Sequence, residues 1–147
     1  MGAVFWPGTF NKITSLTDLT DGYYVIVNSG DAFAMNNTHN GTYLANTSVS
    51  PSSNTLTNPA TSIVWKIETN GTGRTIYNES TAKYVSYTGS SNNVQVVDAV
   101  SANNQRWTFS YASSVFSVAN LAVTSRILQY NSSSPRFVCY TSAQQKF

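Results

Sequence analysis

An all-β fold built from one supersecondary unit used three times is what this sequence predicts, and three observations carry the prediction. Tyr24-Val25-Ile26-Val27, Trp65-Lys66-Ile67-Glu68 and Trp107-Thr108-Phe109-Ser110 recur at steps of 41 and 42 residues, each leading thirteen residues after its aromatic to Asn37, Asn78 or Asn120. A fixed period near forty marks a repeated structural unit. Each unit also holds four short apolar runs bounded by Gly, Asn, Ser or Pro, which is the punctuation of strands and turns, and no stretch carries a helical period. Composition agrees, because only 10% of the 147 residues are charged and the polar surface must come from Asn, Ser, Thr, Gln and Tyr. That mixture suits an extracellular all-β domain better than a disordered tail or a Glu/Lys-rich helical protein.

Taken in order, residues 1–21 read as a leader. Met1 to Phe10 contain an apolar patch, Val4-Phe5-Trp6-Pro7, without the basic start and apolar core of a signal peptide. Something must cover that patch. Ser15-Leu16-Thr17-Asp18 resembles a capping box with Asp in place of Glu, which predicts a single helical turn. From residue 22 to 147 the chain reads as one domain, long enough to bury a core without disulfides or metal. Gly22 to Val27 is expected to close the third unit, and Asn28-Ser29-Gly30-Asp31 to turn the chain. Tyr43-Leu44, Tyr84-Val85 and Ile127-Leu128 mark a second repeated strand, at steps of 41 and 43. Asn54 to Thr57, Val94 to Val97 and Arg136 to Tyr140 mark another. Asn70-Gly71 lies between two runs, the composition of a tight hairpin with positive φ.

Four strands in each of three pseudo-repeats of about 41 residues make twelve short strands, and the closed arrangement of such a set about a pseudo-threefold axis is the β-trefoil. Tyr24, Trp65 and Trp107 are expected at equivalent core positions. Each would bury roughly 150–250 Å², an upper bound of about 4–6 kcal/mol apiece.

Several functions are disfavoured. The net charge of +2 comes from eight scattered bases, whereas phosphate tracking needs bases converging on one face; no nucleic acid is expected. No segment reaches the roughly 18 apolar residues of a membrane helix. Cys139 sits in an apolar run and reads as a buried hydrophobe. The acids Asp18, Asp21, Asp31, Glu68, Glu79 and Asp98 share no catalytic spacing, and His39 reads as a solvated loop residue. Clustered metal ligands and a nucleophile elbow are missing from the sequence pattern. Neither an enzyme nor a cofactor is expected.

Asn104-Gln105-Arg106-Trp107, with the strand, turn and strand that follow to Asn120, resembles the Q-x-W signature of ricin-B-like β-trefoil lectins and carbohydrate-binding modules. Gln145-Lys146-Phe147 is a degenerate copy, and Ile63-Val64-Trp65 keeps the aromatic alone. Thr14 to Gly22 and Ser134 to Phe137 are similar to accessory modules appended to secreted proteins of Bacteroidetes-type bacteria. The lectin resemblance implies a sugar site built from an acid, an aromatic and the Asn-Gln pair. In the second unit it implies Asn104 and Gln105, with the acid position near Ser86, the aromatic position near Val97, and Asp98 or Tyr87 as substitutes. In the third unit it implies Gln129, Tyr140, Gln144 and Gln145. The first unit offers Ala45 and no Gln, and is expected to be inert.

A sugar needs an aromatic face for its C–H surface and planar amides for its hydroxyls. Gln105 and Gln145 either present their amides in this way or bond backbone at a strand corner. The expected function is therefore a secreted, non-catalytic module that binds a glycan or polysaccharide. The alternative is a structural module that assembles with copies of itself or docks a neighbouring domain through residues 1–10.

Overall fold

The computed structural model describes residues 4–147. Met1, Gly2 and Ala3, part of the proposed leader, lie outside the described residues. The strands are β1 (Thr9–Asn11), β2 (Gly22–Val25), β3 (Phe33–His39), β4 (Leu44–Ser48), β5 (Thr55–Thr57), β6 (Val64–Asn70), β7 (Gly73–Asn78), β8 (Lys83–Ser86), β9 (Gln95–Val97), β10 (Trp107–Ala112), β11 (Val115–Asn120), β12 (Ile127–Asn131) and β13 (Arg136–Tyr140). The 3-10 turns are Leu16–Asp18, Thr61–Ile63 and Asn103–Gln105. The helical turn expected near residue 16 is present, but the Ser15 hydroxyl bonds the Thr17 hydroxyl and caps no backbone N–H.

Three sets of pairings recur and define the units. The first is Val27↔Ala34, Tyr77↔Tyr84 and Ala119↔Ile127. The second is Ala34↔Thr47, Tyr84↔Val97 and Ile127↔Tyr140. The third is Tyr24↔Trp65, Arg74↔Trp107 and the backbone pair Phe116 with Phe147. Opening strands are thus β2, β7 and β11, and the aromatic positions that close the units are Trp65, Trp107 and Phe147.

This alters the register of the first unit. Its residues precede their second-unit counterparts by 50, as Tyr24 does Arg74, and not by 41. Tyr24 therefore opens the first unit and is only half-buried, while Trp65 and Trp107 are fully buried. The strand from Gly22 does not close the third unit, because it pairs with β6 along Gly22 to Val25. The excess length lies between β4 and Trp65, in an insertion that carries β5. There the leader is seated: β1 pairs with β5 through Thr9↔Thr57, Phe10↔Leu56 and Asn11↔Thr55, and Trp6 N–H donates to the Pro59 carbonyl. Eleven repeat strands are present among the described residues; β1 is additional, and β5, expected at Asn54 to Thr57 as a repeat strand, pairs with β1 instead, its repeat position being taken by β4.

A buried asparagine ends the opening strand of the second and third units and follows that of the first by three residues. Asn28 Oδ1 accepts from the N–H groups of Ala32 and Phe33, Asn78 Oδ1 from Thr81, and Asn120 Oδ1 from Ala122 and Val123. Each Nδ2 reaches back to the segment that closes the preceding unit: Asn78 to the Val64 carbonyl, Asn120 to the Asn104 carbonyl, and Asn28 to Gln145 Oε1. Trp65 and Trp107 add matching bonds, their indole N–H groups donating to the carbonyls of Met35 and Val85. Asn37, expected at the place of Asn28, donates instead to Asn78 Oδ1.

The core runs along the axis through Met35, Leu44, Ile76, Val85, Leu128 and Phe137. Gly73 is required by close approach, since a Cβ there would meet the Trp107 carbonyl oxygen at 3.0 Å. His39 ends strand β3 and its Nε2 donates to the Val94 carbonyl, so it is no loop residue. Cys139 is fully buried and burial pushes its thiol pKa far up.

Asn120→Ala, which strips partners from two N–H groups and one carbonyl, is expected to cost about 2 kcal/mol or more, measured by urea unfolding. Cys139 is expected to stay unreactive to a soluble disulfide reagent in the folded protein and to titrate fully in denaturant; rapid reaction without denaturant would contradict its burial.

Candidate ligand-binding face

Four of the residues that the second unit was expected to contribute come together, but they face one another. Gln105 is buried in its 3-10 turn, where Oε1 accepts from Ser101 N–H and Ala102 N–H, both at 2.9 Å, and Nε2 donates to Ser86 Oγ at 3.0 Å. Asn104 Nδ2 donates to the Tyr87 carbonyl at 2.8 Å. Tyr87 is buried, its hydroxyl donates to the Ser91 carbonyl, and the Arg126 guanidinium lies 5.4 Å from its ring centroid. Desolvation raises the Tyr87 phenol pKa, and Arg126 opposes the shift. The amides of Asn104 and Gln105 thus hold a strand corner. Asp98 stands apart, with its side chain 83% exposed and ion-paired to Lys83.

The third unit shows the same division. Gln129 is buried, with Nε2 donating to the Ser142 carbonyl and Oε1 accepting from Gln144 N–H. Gln145 Oε1 accepts from Asn28 Nδ2 at 2.6 Å. The buried Tyr140 hydroxyl accepts from Asn131 Nδ2 at 2.9 Å. Gln144 is exposed. Of the nine residues, Asp98 and Gln144 are the ones turned to solvent.

The pairing register assembles a different face that no local motif announces. Tyr23 pairs with Lys66, Lys66 with Tyr77, Tyr77 with Tyr84, and Tyr84 with Val97. Directly opposed residues point to the same side of a sheet, so these five side chains form one row across β2, β6, β7, β8 and β9. At about 4.8 Å per strand the row spans about 19 Å. It lies on the outer side, because Tyr77 alternates with the buried Ile76 and Asn78, and Tyr23 is exposed. The Tyr77 and Tyr84 rings meet at 4.5 Å, and Trp6 extends the row by packing on Tyr23, also at 4.5 Å.

Charges of both signs border these rings. The Tyr23 hydroxyl donates to Glu79 Oε1 at 2.6 Å, which holds the phenol above its ordinary pKa. Lys66 Nζ lies 3.5 Å from Glu68, whose charge raises the ammonium pKa. The Lys83–Asp98 pair lies one residue away from the row, with Lys83 in register with Asn78 and Asp98 just past β9. Tyr84 lies directly across the ladder from Val97, near which the resemblance expects an aromatic. Tyr23 and Tyr77 lie far apart in the chain, and only the pairing joins them. The signal in the sequence was an apolar neighbour, Ile76 or Val85, beside each of Tyr77 and Tyr84.

Among the described residues no three His, Cys, Asp or Glu side chains gather to hold a metal ion. No helix of the described residues is long and apolar enough to cross a membrane.

No protein-family model matches the chain, and no curated protein matches it. Solved structures do. The GlcNAc[alpha]1-4Gal releasing endo-[beta]-galactosidase of Clostridium perfringens superposes with a TM-score of 0.67 at 11% identity, over 83% of this chain and 29% of that one. A lectin of Polyporus squamosus, bound to the epitope Neu5Aca2-6Galb1-4GlcNAc, gives 0.67 at 16% identity over 86% of this chain and 46% of that one. ThreeFoil, a designed 3-fold symmetric protein, gives 0.63 at 18% identity over 84% of this chain and 91% of that one. The chain thus spans less than half the length of the first two. Together with the threefold register, these likenesses establish that the chain has a β-trefoil fold, the fold also found in lectins.

Proposed function

We propose that this chain is a non-catalytic carbohydrate-binding module of a secreted protein, and that its glycan lies across Tyr23, Tyr77 and Tyr84. The observation that carries the reading is the cross-strand row itself. Aromatic faces accept the apolar C–H side of a pyranose, while Glu79, bonded by the Tyr23 hydroxyl, stands where ring hydroxyls would project. A shallow face of this kind binds weakly and gains strength when several modules or several glycan chains engage together. The Polyporus lectin, which shares the fold, is bound to a sialylated oligosaccharide. The resemblance to accessory modules of Bacteroidetes-type secreted proteins supports a targeting role. Gln144, beside Tyr140 and Gln145 in the third unit, is the second contact point we assign.

A second reading rests on Val4 and Phe5, which are 68% and 59% exposed although the leader backbone is anchored to Pro59 and Ala60. These two side chains suit docking against a neighbouring domain or a second copy.

On a glycan array followed by affinity electrophoresis, the chain is expected to bind at least one polysaccharide. Tyr84→Ala and Glu79→Gln should each weaken that binding about tenfold, or about 1.4 kcal/mol, with little change in Tm. Gln105→Ala should act on folding instead, costing about 1–3 kcal/mol through the backbone groups it leaves unpaired. Retention unchanged in a Tyr77→Ala/Tyr84→Ala double variant would remove the face from consideration, and failure of the parent chain to bind any glycan would remove the function.

A further inference from the structure

Two Asn-Gly dipeptides occur in the chain, Asn40-Gly41 and Asn70-Gly71, and the fold treats them differently. The side-chain carbonyl carbon of an asparagine can be attacked by the next backbone nitrogen, most readily before glycine, where no Cβ obstructs the approach. The attack needs an amide free to swing and a nitrogen free of partners.

Asn70 is half-buried at the end of β6, where its Oδ1 accepts from Arg106 Nε at 2.8 Å. Asn40 is exposed, and its side chain makes no hydrogen bond among the described residues. Gly41 N–H donates to nothing among them either, because the turn is closed on both sides of it: Asn40 N–H donates to the Tyr43 carbonyl and Thr42 N–H to the Asn40 carbonyl, both at 2.9 Å. The second bond makes a γ-turn about Gly41, whose φ of 78° suits it. A Cβ placed on Gly41 would meet nothing within 4 Å, so the approach to its nitrogen is open.

The same turn clasps the second unit. His39 Nε2 donates to the Val94 carbonyl at 2.7 Å, and Val94 N–H donates to the Thr42 carbonyl at 2.9 Å. The span from His39 to Thr42 is thus pinned at both ends, with Asn40-Gly41 between the pins.

We propose that Asn40 is a self-modification site of the folded chain, which converts to isoaspartate with loss of ammonia and uptake of water, and that the conversion slackens the clasp between the first two units. Gly41 N gives its proton to solvent hydroxide and attacks Asn40 Cγ. The bond from Cγ to Nδ2 breaks, and the amide nitrogen takes a proton from water and leaves as ammonia. Water then opens the succinimide. Opening at Cγ gives aspartate on an unchanged backbone, whereas opening at the backbone carbonyl carbon gives isoaspartate, whose main chain runs through Cβ and Cγ and is longer by one methylene. That product lengthens a span held at both ends. It also turns the carbonyl that accepts from Thr42 into a free carboxylate, adding one negative charge to a chain of net charge +2.

The test incubates the full, folded chain at mildly alkaline pH. Peptide mapping, with enzymatic methylation of the isoaspartyl carboxylate as the probe, locates the product, and released ammonia gives the balance. Position 40 is expected to convert about tenfold faster than position 70 or more, and the two rates to converge in urea. Chain converted at position 40 should melt about 3 °C or more below fresh chain and exchange its Val94 amide faster. Asn40→Gln aged in parallel should keep its Tm. Freshly purified Asn40→Asp, which adds the charge without the methylene, should melt with the parent. Absence of isoaspartate at position 40, conversion of Asn70 at an equal rate in the folded chain, or unaltered Tm and Val94 exchange after conversion would overturn the proposal. So would an Asn40→Asp variant melting as low as the converted chain, which would assign the effect to charge alone.

Discussion

Asn28, Asn78 and Asn120 are the side chains on which the architecture turns. A buried primary amide costs free energy unless its donors and its acceptor are paired, and here each is paired in two directions. The carbonyl oxygen closes the turn after an opening strand, and the N–H group crosses to the end of the preceding unit. A strand repeated three times could pack in many relative positions by hydrophobic contact alone. These amides allow one. The bond from Asn28 to Gln145 is the member of the set that joins the two ends of the chain, at a sequence separation of 117 residues.

Closure by amides explains where the aromatic residues go. Trp65 and Trp107 have indole N–H groups that must be satisfied once buried, and each finds a backbone carbonyl in the same relative place. Phe147 carries no such donor, and the ring it offers packs on Phe137 at 5.9 Å. The third closing position is thus the least tied of the three.

The outer surface follows a different logic. With few charges to spend, the domain places several of them in pairs, Lys66 with Glu68 and Lys83 with Asp98, and sets Lys66 and Glu79 beside Tyr23. Exposed pairs of this kind contribute little to stability. Their arrangement next to aromatic faces matters more for what the surface can hold than for how firmly it folds. Arg126 shows the opposite use of charge: buried, it is held by Asn92 and by the carbonyls of Ser90 and Cys139, and it clasps the loop after β8 to the third unit.

Sequence alone determined the all-β class, the threefold repeat, the hairpin at Asn70-Gly71, the burial of Cys139 and the closing positions at Trp65 and Trp107. These rest on alternation and turn chemistry, which are local. The first unit escaped it, because the hairpin of β2 and β3 has the same internal spacing as that of β6 and β7. A shift of nine residues, offset by the insertion that carries β5, therefore leaves the pattern of apolar runs unchanged. Whether Gln105 faces a ligand or a strand corner was equally beyond reach, since an amide in the chain looks the same in both settings. Tertiary structure decided those questions, and it alone set Tyr23, Tyr77 and Tyr84 side by side, because cross-strand neighbours are fixed by hydrogen-bond register between segments that lie dozens of residues apart.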